Sequence, residues 1–279
     1  MSRTRRVLVV ITVLLMTVGA ATAQVGTWGI PSASTWAEDQ SQVFGEARFF
    51  DDDNQTWGVF LRGGFDDNGE AIFGYFDWEV TGEDPISGAV RKSEMSAVVV
   101  DLKWLLRDTT PRIALRAGAD LNVGRATGTN TLTGASAFMT GAIPTVSLPI
   151  EFGNPEGTLF VIEPKVVWFD TWMPTTLGAP IEGFGTAVMI GGGVRYPISN
   201  RVTLIVDAAY PINDSNSIND VTNEVTEELA WSAGISADLG SGWDADVFAT
   251  TAAGPTPATS AIATPDQSIG LGVRVSKTW

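Results

Sequence analysis

The chain has 279 residues, carries 17 Lys and Arg against 32 Asp and Glu for a net charge of −15, and contains neither His nor Cys. Without those two residue types it lacks histidine acid–base catalysis, thiolate chemistry, disulfides and most zinc ligands, and its negative charge argues against a nucleic-acid partner. Thirty Gly and ten Trp, with only 18% charged residues, are atypical of a soluble enzyme, and nothing in the composition indicates a cofactor.

The first 23 residues show the three regions of a secretory signal peptide. Three arginines lie within residues 1–6, an apolar run follows at 7–18, and residues 21–23 read Ala-Thr-Ala. The apolar run is too short to span a bilayer as a helix. We therefore expect export, with cleavage of residues 1–23.

Beyond residue 42 the apolar residues alternate with polar or small ones, which is typical of β-strands. At the C-terminal end, for example, Leu271 and Val273 alternate with glycines and Arg274. Pro144 and Pro149 interrupt one of the runs. The pattern predicts about twelve strands, at residues 43–50, 57–65, 71–80, 95–106, 112–124, 137–152, 158–170, 183–197, 201–212, 228–239, 243–251 and 268–279.

The predicted connections alternate between short and long. Residues 66–70 and 240–242 are short and carry turn signals such as Asn68-Gly69, whereas 81–94 and 252–267 are long. An even number of antiparallel strands with short turns at one end and long loops at the other is the plan of a transmembrane β-barrel. A β-sandwich with Greek-key crossovers would not sort its loops in this way.

The face of the predicted strands that we assign to lipid carries one charged residue, Lys277, and two bands of aromatic residues. Such bands are typical of the two membrane interfaces. The Trp and Tyr members near the long loops are Trp57, Trp78, Trp168, Tyr210 and Trp231. Those near the short turns are Trp104, Tyr196, Trp243 and Trp279.

With its signal peptide, alternating loops and closing strand 268–279 that ends in an aromatic residue, the chain resembles bacterial outer-membrane β-barrel proteins as a class. The resemblance implies an all-β, antiparallel up-and-down transmembrane barrel in the outer membrane of a Gram-negative-type bacterium. It also implies contact with membrane lipid and lipopolysaccharide, and assembly by a barrel-insertion machinery that reads the last strand. Lys277 departs from the class, in which an apolar or aromatic residue usually holds that position.

Three parts follow: the signal peptide (1–23), an N-terminal lead-in (24–42) and the barrel (43–279). The lead-in contains Gly29 and Pro31 and shows no strand pattern. Two places remain open for it, the periplasm or the lumen, and we favour the periplasm.

The face assigned to the lumen is rich in charge, so that this interior must be wet or ion-paired. The predicted inward acids are Glu46, Asp77, Glu79, Asp101, Asp120, Glu151, Glu163, Asp207, Glu228, Asp238, Asp244 and Asp246. The predicted inward bases are Arg48, Arg62, Lys103, Arg112, Arg116, Lys165, Arg195, Arg201 and Arg274. Small inward residues at 183–193 and 230–236 leave space for a passage, for an inward-folded loop, or for the lead-in.

Two functions fit this lumen: a narrow channel for small polar solutes or ions, with weak cation preference, or a closed structural or interaction barrel with acidic surface loops. A secreted soluble β-sandwich is the third alternative. We expect no enzyme, since the carboxylate pair Asp244 and Asp246 is explained by a facing arginine. We also expect no metal site. Asp51, Asp53 and Asn54 form no complete coordination motif, and Asp66, Asn68 and Glu70 belong to a predicted turn.

Overall fold

The computed structural model describes residues 29, 33–34, 40–50, 54–83, 90–122, 126–130, 136–139, 141–154, 157–169, 185–213, 215–218, 225–264 and 267–279. The predicted signal peptide lies outside these residues. The strands are β1 (Ser41–Phe49), β2 (Gln55–Gly64), β3 (Gly69–Glu83), β4 (Val90–Arg107), β5 (Arg112–Asn122), β6 (Ala126–Asn130), β7 (Ser136–Met139), β8 (Ala142–Ser147), β9 (Ile150–Gly153), β10 (Leu159–Trp168), β11 (Thr186–Pro197), β12 (Val202–Asn213), β13 (Ser217–Ile218), β14 (Val225–Thr226), β15 (Ala230–Gly240), β16 (Trp243–Thr250) and β17 (Gly270–Thr278).

Twelve strand courses close into an antiparallel barrel, which confirms the predicted fold. The ring runs through β1 to β5, then β8 with β9, then β10 to β12 and β15 to β17. The seam between β17 and β1 closes it, with Glu46 opposite Arg274. A closed ring has no edge strand, so that every strand course of the ring has partners on both sides.

The sixth course is split because prolines interrupt it, as the sequence indicated. β8 and β9 both lie between β5 and β10, and they are separated by Leu148 and Pro149. Proline has no backbone N–H and cannot donate to a sheet. The backbone bonds of the gap still reach both neighbours, since Leu148 N donates to Pro164 O at 3.0 Å and Ala114 N donates to Pro149 O at 3.1 Å.

Short and long connections alternate as predicted. Residues 241–242 form the tightest turn at the short-turn end, where Gly240, Ser241 and Gly242 have φ of 84°, 52° and 82°. Glycine adopts such values without steric cost. The long-loop end carries two further pieces of sheet: β6 and β7 extend from the outer part of β4, and β13 pairs with β14.

Side chains alternate between an exposed apolar outer face and a buried inner face. On β10, Phe160 and Ile162 are exposed whereas Val161 and Glu163 are buried. Among the described residues, no helix is long and apolar enough to cross a membrane. The alternation follows from the pleat, which turns successive side chains to opposite faces.

The two faces of β3 are exchanged relative to the prediction. Trp78 lies opposite the buried Thr56 and packs against the interior apolar cluster, so it is not on the outer face. Asp77 lies opposite Trp57 on the outer face, where Ser96 donates to it at 2.8 Å, so it does not line the lumen. The prediction was wrong because β3 carries large aromatic residues on both faces. The charged residues alone then determined which face was assigned to the lumen.

The remaining predicted interface aromatics have outward positions on their strands. They are Trp57, Trp104, Trp168, Tyr196, Tyr210, Trp231, Trp243 and Trp279. Trp57 packs against Tyr75 with ring centroids 5.7 Å apart, and Trp104 packs against Phe65 at 6.0 Å. Their position at the two membrane interfaces stays a prediction.

Lys277 is the charged residue predicted on the outer face, and it is nevertheless 1% exposed. Its ammonium donates to the Ser241 carbonyl in the short turn and lies 5.6 Å from the centre of the Trp243 ring. Both contacts hold the charge at the short-turn rim, because the long side chain can reach from an outward position to a polar partner.

Candidate functional site

The first charged cluster of the lumen lies at the seam. Glu46 accepts from Arg48 Nε at 2.7 Å and from Arg274 Nε at 2.7 Å, and Asp246 is 3.9 Å from Arg274. Arg274 also lies over the Phe44 ring, with Cζ 5.2 Å from the ring centre. One buried carboxylate therefore joins two guanidinium groups across the strands that close the barrel.

A second cluster joins β2, β3 and β4. The Glu70 carboxylate contacts Arg62 Nε at 2.8 Å and Lys103 Nζ at 3.1 Å. The sequence placed Glu70 in a turn. The structure shows that it is the second residue of β3, buried and inward-facing, because β3 begins at Gly69. The sequence pattern could not show this, because β3 carries large aromatic residues on both faces.

A third cluster bridges β4, β5 and β10. Arg116 Nε donates to Asp101 at 2.6 Å and has Nη1 3.9 Å from Glu163. Glu163 in turn lies 3.2 Å from Lys165 Nζ. Opposite charges thus alternate along a path across the inner wall. Buried ions require this arrangement, since an unpaired charge out of water is very unfavourable.

The other predicted lumen residues have varied surroundings. Asp120 and Asp207 are buried and bind segments inside the barrel, described below. Asp244 is buried near the short-turn end of β16, and Arg195 is half-buried on β11. Asp238 lies opposite Asp244 on the same face of the sheet and is exposed at that mouth, where it accepts from Gly240 N at 2.7 Å.

A loop enters the lumen from the long-loop end. This lumen loop, residues 251–264, lies almost wholly in the predicted long connection 252–267, and all its residues except Pro255 are buried. Arg48 Nη1 donates to Ala252 O and Thr56 Oγ1 to Ala253 O, both at 2.7 Å. Across the barrel, Thr256 donates to Asp120.

The lumen loop also packs into an apolar layer in the long-loop half. Ala258 and Ala261 are fully buried there together with Phe76, Val99 and Met189 of the wall. On the β10 side, Lys165 Nζ donates to Pro257 O and Ser260 Oγ, each at 3.4 Å. The loop therefore contacts strands on several sides of the ring. Its signal in the sequence was a long connection of Ala, Thr and Ser that lacks charge up to Pro265.

A second segment, from the predicted lead-in, also lies in the lumen. Its described residues are Gly29, Ala33 and Ser34, which we call the tail. Ala33 N donates to Glu151 Oε2 at 3.1 Å, and Lys103 Nζ donates to Ser34 O at 2.7 Å. These three described residues lie among inward-facing side chains.

The tail and the lumen loop meet inside the barrel. Gly29 N donates to Asp207 at 3.1 Å, and Gly29 O accepts from Ser260 Oγ at 3.4 Å. The small inward residues Gly193 and Ser232 lie opposite Asp207 on the neighbouring strands. The sequence left space here for a passage, for an inward-folded loop or for the lead-in. The structure shows part of a loop and part of the lead-in in that space.

No group of three or more His, Cys, Asp or Glu residues that could hold a metal ion occurs within the part of the chain that the structure describes. Asp51 and Asp53 lie outside that part. Asn54 is within it, and its carbonyl accepts from Phe50 N at 3.0 Å. Gly183 of the predicted small-residue row also lies outside it.

No protein-family model and no curated protein matches the chain by sequence. Similarity appears in solved structures of bacterial outer-membrane β-barrels. An outer membrane channel from Pseudomonas putida F1 is 10% identical with a TM-score of 0.53, covering 93% of this chain and 98% of the channel. The NanC porin is 11% identical with a TM-score of 0.50, covering 85% and 98%.

A third similar structure is outer membrane phospholipase A from Escherichia coli, at 11% identity and a TM-score of 0.45, covering 91% of this chain and 98% of that one. At such low identities, the channel from P. putida and the NanC porin support the fold alone. This chain therefore has the barrel fold of bacterial outer-membrane proteins, without a more specific subfamily.

Proposed function

We propose that this chain is an outer-membrane β-barrel of a Gram-negative-type bacterium, closed in the conformation described, which gives small polar solutes or ions a narrow path when its internal segments move. One observation carries the proposal: a loop and a terminal segment occupy the lumen, in addition to side chains of the wall. Such segments can move without breaking a strand pair.

The wall behind these segments is polar in the short-turn half. Arg62, Glu70 and Glu151 lie on its inner face and are buried as members of ion pairs. A lumen lined in this way suits hydrated solutes better than apolar ones, because charged side chains can replace part of a solute's water shell. We retain the weak cation preference as part of the proposal.

A permanently closed structural or interaction barrel is the second candidate, and the apolar layer favours it. Opening would separate Ala258 and Ile262 from Phe76 and Met189, with which they are buried. Exposing apolar surface costs about 25 cal/mol per Å². In that case the polar loops at the long-loop end would be the functional surface.

We propose no enzymatic role. A barrel fold by itself hosts transport proteins and enzymes alike, so that function must be inferred from the site. The inward carboxylates Glu46 and Glu163 lie in ion pairs with buried bases. The outer face would contact lipid and lipopolysaccharide, and β17 would be the strand read by the insertion machinery.

Planar-bilayer conductance of the refolded chain that starts at Gln24 tests the proposal. We expect reproducible current steps. In a salt gradient, we expect a reversal potential whose sign indicates weak cation selectivity. A variant with a displaced lumen loop, specified in the Discussion, is measured alongside. Steps in the variant alone would support the closed barrel, and steps in neither would overturn the channel.

A further inference from the structure

The tail occupies a site that recognises peptide backbone. Three of its backbone N–H groups donate to wall carboxylates: Gly29 to Asp207 at 3.1 Å, and Ala33 and Ser34 to Glu151 at 3.1 and 3.4 Å. Its Ser34 carbonyl accepts from Lys103 at 2.7 Å. The wall thus supplies acceptors to N–H groups and a cationic donor to a carbonyl.

The central element of this site is Glu151 on β9, which is 1% exposed. Its Oε2 receives the two consecutive backbone N–H groups, and its Oε1 accepts from Ser34 Oγ at 2.9 Å. Arg112 donates to the same carboxylate and thereby holds it in position. Hydrogen bonds to a charged acceptor are stronger than neutral ones, so this carboxylate is suited to bind paired amides.

The site also limits what side chain the peptide can carry. Ala33 is fully buried, so that its methyl group is enclosed by its surroundings. At Gly29, a Cβ atom would lie 3.0 Å from Asp207 Oδ1, which is a tight approach, and 3.7 Å from Ser260 Cβ, which is ordinary contact. Small residues therefore fit where the backbone is bound.

We propose that this part of the lumen is a binding site for short peptides with small side chains, and that the tail is its tethered occupant. The contacts involve main-chain groups that every peptide has, together with one serine hydroxyl, so that a free peptide can make the same contacts. The proposal deepens the proposed function, on which it rests for a role in transport, by naming peptide-like solutes as the class that passes.

A free peptide must compete with a covalently attached one. A tail tethered by a short flexible linker has an effective concentration in the millimolar range. The probe is therefore the capped hexapeptide Gly-Ile-Pro-Ser-Ala-Ser, the sequence of residues 29–34, at about ten times that concentration. Its matched control is the same peptide N-methylated at Ala and the last Ser, which removes the two N–H groups that Glu151 would accept.

The test uses the full mature chain with Ala33→Cys, reconstituted in liposomes. The natural chain has no cysteine, so a thiol reagent reports on this position alone. We expect slow labelling without peptide, a severalfold faster rate with the hexapeptide, and no change with the methylated one. Fast labelling without peptide, no response, or an equal response to both peptides would overturn the site.

Hydrogen exchange of the tail amides in the unsubstituted chain gives the same answer without relying on the cysteine variant. The hexapeptide should speed exchange at Ala33 and Ser34, and the methylated peptide should not. Conductance separates this inference from the proposed function. If the barrel responds to the hexapeptide alone but never conducts, the binding site is supported and the channel is rejected. If it conducts but shows no such response, the channel is supported and the binding site is rejected.

Discussion

Gly29 and Ser260 are 231 residues apart in the chain and meet inside the barrel, where Ser260 Oγ donates to Gly29 O at 3.4 Å. The first belongs to the tail and the second to the lumen loop. Ser260 also accepts from Lys165, so that the contact is tied to the wall. The two segments are therefore parts of one internal structure, and displacing either removes a partner of the other.

Ala258→Asp should expel the lumen loop. Ala258 is fully buried in the apolar layer, and an unpaired carboxylate there would cost several kcal/mol in free energy. We expect larger or more frequent conductance steps and faster proteolysis within residues 251–264. Ser268→Asp, at an exposed position after the loop, is the matched control and should behave as the natural chain does. Unchanged conductance and protease resistance in the Ala258→Asp barrel would contradict the loop's role as a plug.

Arg274→Ala should weaken closure of the barrel. The substitution leaves Glu46 with only Arg48 and breaks a buried ion pair across the seam, which typically costs about 3–5 kcal/mol in the free energy of unfolding. Urea titration followed by heat-modifiable gel migration measures the loss. Arg201→Ala, an exposed arginine beside a short turn, should leave the urea midpoint unchanged. Equal midpoints for both variants would show that the seam cluster does not stabilise the barrel.

Val273→Arg should block stable insertion. Val273 lies near the middle of β17 with Val247 opposite it on the outer face. A charge at the bilayer midplane costs about 2–4 kcal/mol, falling to about 0–1 near the interfaces. Leu239→Arg, exposed beside the turn at Gly240, is the depth control and should insert normally. The readout is the fraction of chain that folds into vesicles. Equal yields would reject the assignment of this face to lipid.

Lys277 and Trp243 should stabilise the barrel cooperatively. Lys277→Met removes the hydrogen bond to Ser241 and the contact with the ring, and we expect a loss of about 1–2 kcal/mol in unfolding free energy. In a double-mutant cycle with Trp243→Leu, the two losses should not add, since each substitution removes the same ring contact. Additive losses would mean that the ammonium and the ring act independently.

Much of the wall could be predicted from the sequence, because a lipid-exposed sheet has to alternate. Leu271 and Val273, which alternate with Gly270 and Gly272, set the face and the register of β17 without ambiguity. β3 was the exception, since Phe73 and Tyr75 on one face and Phe76 and Trp78 on the other make both faces apolar. The prediction turned the face that carries Asp77 toward the lumen because Asp77 is charged, and this assignment was wrong.

The contents of the lumen could not be predicted in the same way. Periodicity locates strands, but it does not show where a connection folds. Lys165 and its partner Pro257 O are 92 residues apart in the chain, and Glu151 and its partner Ala33 N are 118 residues apart. For the lumen loop the composition did hold a signal, since Ala253, Ala258, Ala261 and Ile262 are unusual in a connection exposed to water. For the tail we find none.

The placement of the two internal segments has a consequence for the order of folding. The tail precedes β1 and the lumen loop lies between β16 and β17, so both are attached to three strands next to one another at the seam. Arg48 on β1 and Ala252 in the loop, which are bonded, are 204 residues apart in the chain. Contacts at such separation form late, because a long stretch of chain has to be ordered before they can be made. The seam pair Glu46 and Arg274 is 228 residues apart, so closing the barrel and filling its lumen both depend on contacts between the first and the last strands.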